Sequence, residues 1–81
     1  MLEKDREIKE KTKLSKRLGK HIVKLRELKG ISAAELARNC YMERSSIARI
    51  EMGRTNPSLF VIKKIISGLN MNFKEFFDSF E

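Results

Sequence analysis

The sequence predicts an all-α domain of five helices. Apolar residues recur at spacings of three and four from Leu14 to Phe80, the period of one helix face. Glycine, proline and asparagine interrupt that pattern at Gly30, at Gly53 to Ser58 and at Asn70 to Asn72, where helices stop and the chain turns. Nowhere do apolar and polar residues alternate with the period of two that a half-buried strand requires.

Residues 1–13, MLEKDREIKEKTK, offer only Leu2 and Ile8 beyond Met1 as apolar members. They read as a charged arm or an exposed helical extension, leaving 14–81 as the folded domain. Leu14, Leu18, Ile22, Leu25 and Leu28 stripe the first helix, which Gly30 ends by taking a left-handed conformation, with Ile31 as the apolar contact beyond it. Ser32-Ala33-Ala34-Glu35 has the spacing of a capping box and opens a second helix whose inner face is Leu36, Ala37 and Cys40. A third helix, about Arg44 to Met52, turns Ile47 and Ile50 inward before Gly53. Pro57 suits the first turn of a fourth, striped by Leu59, Ile62, Ile65, Ile66 and Leu69. Phe73, Phe76, Phe77 and Phe80 make a short aromatic fifth helix.

The composition narrows the function. A chain of 81 residues is one domain, with one Cys, one His and no Trp, so it cannot assemble a disulfide or a four-ligand zinc site alone. Cys40 reads as a small buried apolar residue and His21 as an ordinary helix residue, since no nucleophile stands beside it. Without paired carboxylates, a glycine-rich phosphate loop or a Ser/His/Asp set, no enzyme, cofactor or small-molecule ligand is expected. No segment has the apolar length of a membrane span or a secretory leader, which points to the cytoplasm and, with DNA as the partner, to the nucleoid. The net charge is +7, of which residues 1–14, with five basic and four acidic groups, supply one. The folded part is therefore the polycation, and its expected partner is nucleic acid before membrane.

The informative unit is residues 33–52, two short helices joined by about four residues, an arrangement in which the first braces the second and the second projects outward. A step of about 100° per residue places Arg44, Ser45, Ala48 and Arg49 on one arc of the third helix, opposite Ile47 and Ile50. Arg matches guanine O6 and N7 bidentately, Ser donates or accepts, and Ala permits close approach, so this arc is the candidate base-reading face for double-stranded DNA. Arg44, nearest the helix N-terminus, is the expected main reader.

Leu18-Gly19, Ile22, Leu25-Arg26, Lys29-Gly30-Ile31-Ser32, Glu35-Leu36-Ala37, Ser45-Ser46-Ile47, Ile50-Glu51, Gly53-Arg54, Asn56-Pro57-Ser58, Leu69 and Phe77 together resemble the lambda-repressor-like, Xre-type helix-turn-helix family. The resemblance implies a compact five-helix domain, insertion of the third helix into the major groove, and a homodimer acting as a transcriptional regulator on an inverted-repeat operator. It implies backbone contacts from Ser32, Ala33, Ser46, Arg54 and Asn56, and a salt bridge between Arg26 and Glu51. The run from Met42 to Asn56 with Phe76-Phe77 is most similar to the controller proteins of restriction–modification systems. Phe60 and Val61 stand where related domains carry polar residues, and Phe76, Phe77 and Phe80 are more aromatic surface than a short helix buries. These five residues are the expected dimer interface through helices four and five, although some of the rings can instead close over the first helix.

Three departures from the family pattern stand out. Ala33 replaces the usual Gln, removing a side-chain contact often made to phosphate or base. Tyr41 takes the turn position of a Gly, where a left-handed conformation costs about 1–2 kcal/mol, so a turn altered by a residue is expected. Glu43 replaces the usual hydroxyl cap and is expected to cap or to meet the helix dipole rather than read a cytosine. An antitoxin that represses its own operon is a further reading, and a protein-interaction module or RNA binder another. RNA is disfavoured because no aromatic platform is visible.

Overall fold

A computed structural model describes residues 2–81. The chain folds as α1 (Glu3–Leu28), α2 (Ala33–Cys40), α3 (Arg44–Glu51), α4 (Leu59–Gly68) and α5 (Phe73–Asp78), with no strand among the described residues. Leu18, Ile22 and Leu25 of α1, Leu36, Ala37 and Cys40 of α2, Ile47 and Ile50 of α3, Ile65 and Ile66 of α4, Leu69 and Phe76 form one buried cluster. Around it α1 packs on α3, α2 on both α3 and α4, and α4 on α5.

The first helix is longer than its apolar stripe. It starts at Glu3 and runs unbroken for 26 residues, about 39 Å at 1.5 Å per residue. Residues 3–14 are all exposed on it. Strong helix formers fill this stretch, Glu3 and Asp5 meet the positive end of the helix dipole, and Asp5 and Glu7 stand four residues before Lys9 and Lys11. The expected stripe is also too wide: Leu14 is half exposed and Leu28 is 74% exposed, because the body of the protein covers α1 only from Ser15 to Arg26.

Four helices end in the same way. Gly30, Tyr41, Gly53 and Asn70 adopt positive φ, from 57° to 72°. In each case the next N–H donates back over the turn: Ile31 to the Arg26 carbonyl, Met42 to Ala37, Arg54 to Arg49 and Met71 to Ile66, at 2.9–3.1 Å. These bonds satisfy carbonyls that a helix end otherwise leaves open. Tyr41 therefore keeps the turn that a glycine would make, and the expected alteration is absent. The two hydrogen bonds closing the turn hold the tyrosine in a conformation it would not choose alone. Pro57 lies outside α4, one residue before its cap, since Ser58 is the cap and accepts from the Val61 N–H at 3.1 Å.

No helix among the described residues is long and apolar enough to cross a membrane.

Candidate nucleic-acid interface

The fold sets α3 on the surface with one face buried and the other bare. Ile47 is fully buried and Ile50 is 5% exposed, while Arg44, Ser45 and Arg49 are exposed and Ser46 and Ala48 are half-buried. The exposed side chains are nearly uncommitted. Ser45 Oγ donates to Glu43 Oε2 and Arg49 Nη2 to Ser46 Oγ, both at 3.5 Å, the outer limit of a useful hydrogen bond. Glu43 occupies the cap position of α3 in an extended conformation, yet its carboxylate accepts no backbone N–H there. It acts on α3 through the helix dipole and the long contact from Ser45.

At the start of α2, Ser32 accepts from the Glu35 N–H at 3.0 Å. The returning bond from the Glu35 side chain is not among those found in the described residues. The reciprocal pair occurs instead at α5, where Asn72 accepts from the Glu75 N–H at 2.8 Å and Glu75 accepts from the Asn72 N–H at 2.9 Å. Ser32 is exposed and Ala33 half-buried at the N-terminus of α2; Arg54 and Asn56 are exposed in the loop after α3. The Thr55 hydroxyl between them is buried without a partner in the described residues.

Two features fix the pose of α3 against α1. Arg26 Nε donates to Glu51 Oε2 at 2.8 Å and Nη2 to Oε1 at 3.3 Å, a bidentate pair whose side chains are only 14% and 11% exposed. Arg26 Nη1 also donates to the Ile31 carbonyl at 3.0 Å, so one guanidinium joins the ends of α1 and α3 to the α2 entrance. Gly19 is the second feature. A Cβ there would lie 2.6 Å from the Ile50 carbonyl oxygen, with the Glu51 carbonyl nearer still. Only glycine lets the two backbones approach this closely. The sequence carries a signal for this, a glycine inside an otherwise strong helix, which costs about 1 kcal/mol against alanine unless packing requires it. Asn39, which spacing did not single out, donates from Nδ2 to the Gly68 carbonyl at 3.1 Å and ties α2 to α4.

Cys40 is a free thiol buried against Gly68, and burial pushes its pKa up while the Lys64 charge opposes the shift. The thiol stays neutral and poorly nucleophilic. His21 is buried too, edge-on to Phe76 and Phe80 with ring centroids at 4.7 and 5.3 Å. Its Nε2 bonds the Phe76 carbonyl, which accepts only, so that nitrogen carries the proton.

The aromatic set expected at a subunit interface divides. Phe60 is 68% exposed, with Lys64 Nζ at 6.0 Å from its ring centre. Phe77 is 39% exposed and Val61 half-buried. Phe76 is fully buried and therefore not part of any surface, because α5 turns it down onto the His21 ring of α1. Phe80 is half-buried beneath the Arg17 guanidinium, 5.1 Å from its ring centre.

Comparison with known proteins agrees with this geometry. A helix-turn-helix family profile matches residues 22–76. The restriction–modification controller protein C.AhdI from Aeromonas hydrophila superposes with a TM-score of 0.73 at 32% identity, covering 78% of this chain and 96% of that one. The wild-type controller protein C.Esp1396I gives 0.77 at 28% identity, over 80% and 83% of the two chains. A transcriptional regulator from Vibrio cholerae gives 0.78 at 25%, over 84% of this chain but only 38% of that longer protein. No curated protein matches the sequence. With its two-helix unit braced this way and the profile running from the last two turns of α1 through α2, α3 and α4 into α5, the chain belongs to the Xre-type helix-turn-helix family of DNA-binding regulators.

Proposed function

We propose that the protein is a sequence-specific transcriptional regulator that binds double-stranded DNA as a homodimer on an inverted-repeat operator. Arg44, Ser45, Ala48 and Arg49 read base edges, with Arg44 the main reader. Ser32, Ala33, Ser46, Arg54 and Asn56 hold the phosphate backbone. Phe60, Val61 and Phe77, with Phe80 at the margin, form the subunit contact. One observation carries the reading: α3 presents two arginines and a serine, exposed and almost unbonded, on a helix whose other face is sealed into the core. Long cations with no acidic partner among the described residues are arranged for an external anion. The similarity to two restriction–modification controller proteins supports regulation over other uses of the fold. Selection of bound duplexes from a random DNA pool tests it. An inverted repeat should be recovered, with half-sites about one helical turn or a multiple apart. Recovery of no enriched sequence would refute sequence-specific binding.

A further inference from the structure

The exposed N-terminal half of α1 has no role in the core, yet it does not project into open solvent on every side. Ile8, Lys11, Thr12 and Ser15 border one surface depression of about 250 Å³ together with Arg54 and Asn56 of the loop after α3. The extension therefore runs alongside the segment that we assign to the DNA backbone. Its charges are sorted about that direction. Ser15 is buried against the body and marks the facing side of the helix. At about 100° per residue, Lys4, Ile8, Lys11 and Thr12 fall within about 60° of Ser15. Asp5, Glu3, Glu7 and Glu10 all fall about 80° or more away. The side of the helix next to Arg54 thus carries two lysines and no carboxylate, whereas the extension as a whole is nearly neutral.

We infer that the α1 extension is a second phosphate-binding element, in which Lys11, with Lys4 two turns before it, continues the line of Arg54 and Asn56 along the DNA backbone. The inference rests on the DNA-binding reading. The argument for a phosphate backbone as occupant is charge: an anionic ligand already placed at Arg54 meets only cations on the adjoining helix face, and a rigid helix presents them without the ordering cost of a flexible arm. A contact of this kind carries no base information. It adds affinity and salt sensitivity on all duplexes alike.

The test compares two double variants of the full chain, Lys4→Gln with Lys11→Gln, and Lys9→Gln with Lys13→Gln on the far side of the same helix. Gln has nearly the helix propensity of Lys, and both remove the same charge. Binding to a mixed-sequence duplex of about 30 base pairs is titrated between about 50 and 200 mM salt. The first pair should reduce the slope of log affinity against log salt by about 1.8, near 0.9 for each contact, and the second should leave it close to the parent. Equal reductions by both pairs would show a diffuse charge effect and overturn the inference. So would a slope unchanged by the first pair, and so would a change in self-association by sedimentation with the slope intact, which would give the extension to a second copy of the chain. A parent protein that binds no duplex would refute the DNA-binding reading itself and this inference with it, an outcome separable from the other three.

Discussion

Tyr41 holds φ at 57° with 92% of its surface in solvent, so its side chain returns little for the strain its backbone carries. Tyr41→Gly should stabilise the fold by about 1 kcal/mol, the left-handed cost less the greater freedom of glycine in the unfolded chain. Thermal unfolding would show a rise of about 4–8 °C; an unchanged or lower midpoint would mean that the ring makes a contact worth keeping. Arg26 stands at the opposite extreme. Arg26→Ala leaves the Glu51 carboxylate nearly buried without its two donors and frees the Ile31 carbonyl as well. The expected loss is about 3 kcal/mol, at the lower end for a buried pair because both side chains keep some solvent contact. Arg26→Lys should recover only part of it, since an ammonium cannot bond both oxygens in one plane. A melting temperature equal to the parent's would show that the pair contributes nothing. Residues of this kind differ in how much the sequence tells. Gly30, Gly53 and, more weakly, Asn70 announce themselves as helix ends, but Tyr41 makes the same turn with a side chain that favours other conformations. What holds it is the hydrogen bonding of the turn, which composition does not display.

The packing of whole helices turns on two glycines that do different work. At Gly19 a methyl group would meet backbone oxygens of α3, which cannot move without shifting the helix. At Gly68 the nearest atom is Cys40 Sγ at 2.5 Å, then Leu36 Cδ1 at 3.2 Å, both on side chains that can turn aside. Gly19→Ala should therefore destabilise by about 3 kcal/mol and Gly68→Ala by clearly less, as seen in chemical denaturation. The reverse order would place the tight crossing at α2 and α4. On α3 itself, Arg44→Ala should cost about 1–3 kcal/mol on the selected operator and relax discrimination at one base pair per half-site. Arg54→Ala should weaken operator and scrambled duplexes equally and lower the salt slope by about one. An equal loss on both duplexes for Arg44→Ala would make α3 an electrostatic anchor and not a reader. Periodicity located all five helices because each buries a stripe, but it placed the start of α1 at Leu14 and not at Glu3. An apolar pattern marks where a helix is covered; propensity, the helix dipole and charge spacing carry α1 for three turns beyond that, as the exposed extension that the charged N-terminal residues allowed. Leu14 and Leu28 satisfy the same period at positions where the body has already fallen away.

The molecule as a whole measures 42 × 26 × 20 Å, lengthened by α1, and α4 and α5 carry four large apolar residues that stay exposed. Leu59 is 70% exposed, Phe60 68%, Phe73 40% and Phe77 39%, with Phe73 and Phe77 stacked at 6.3 Å between centroids. Phenylalanines fell at helical spacing throughout α5, and spacing could not tell Phe76, which faces α1, from Phe77, which faces outward. Burial decides between them, and it gives the dimer proposal a control. A self-association that holds Phe60 and Phe77 makes the folded state a two-molecule species, so its melting temperature must rise with protein concentration. Phe60→Gln removes apolar surface that the isolated subunit leaves in water, together with a weak cation–π contact from Lys64. Its melting temperature at low concentration should stay near the parent's, while the rise with concentration is lost. Phe76→Leu should do the opposite: it opens space in the core and lowers the melting temperature by a similar amount at every concentration, leaving the slope in place. Sedimentation at micromolar concentration then supplies the masses. A parent that is monomeric there, with a melting temperature independent of concentration, would sink the α4–α5 dimer, and the inverted-repeat operator would need a different source of two-fold symmetry.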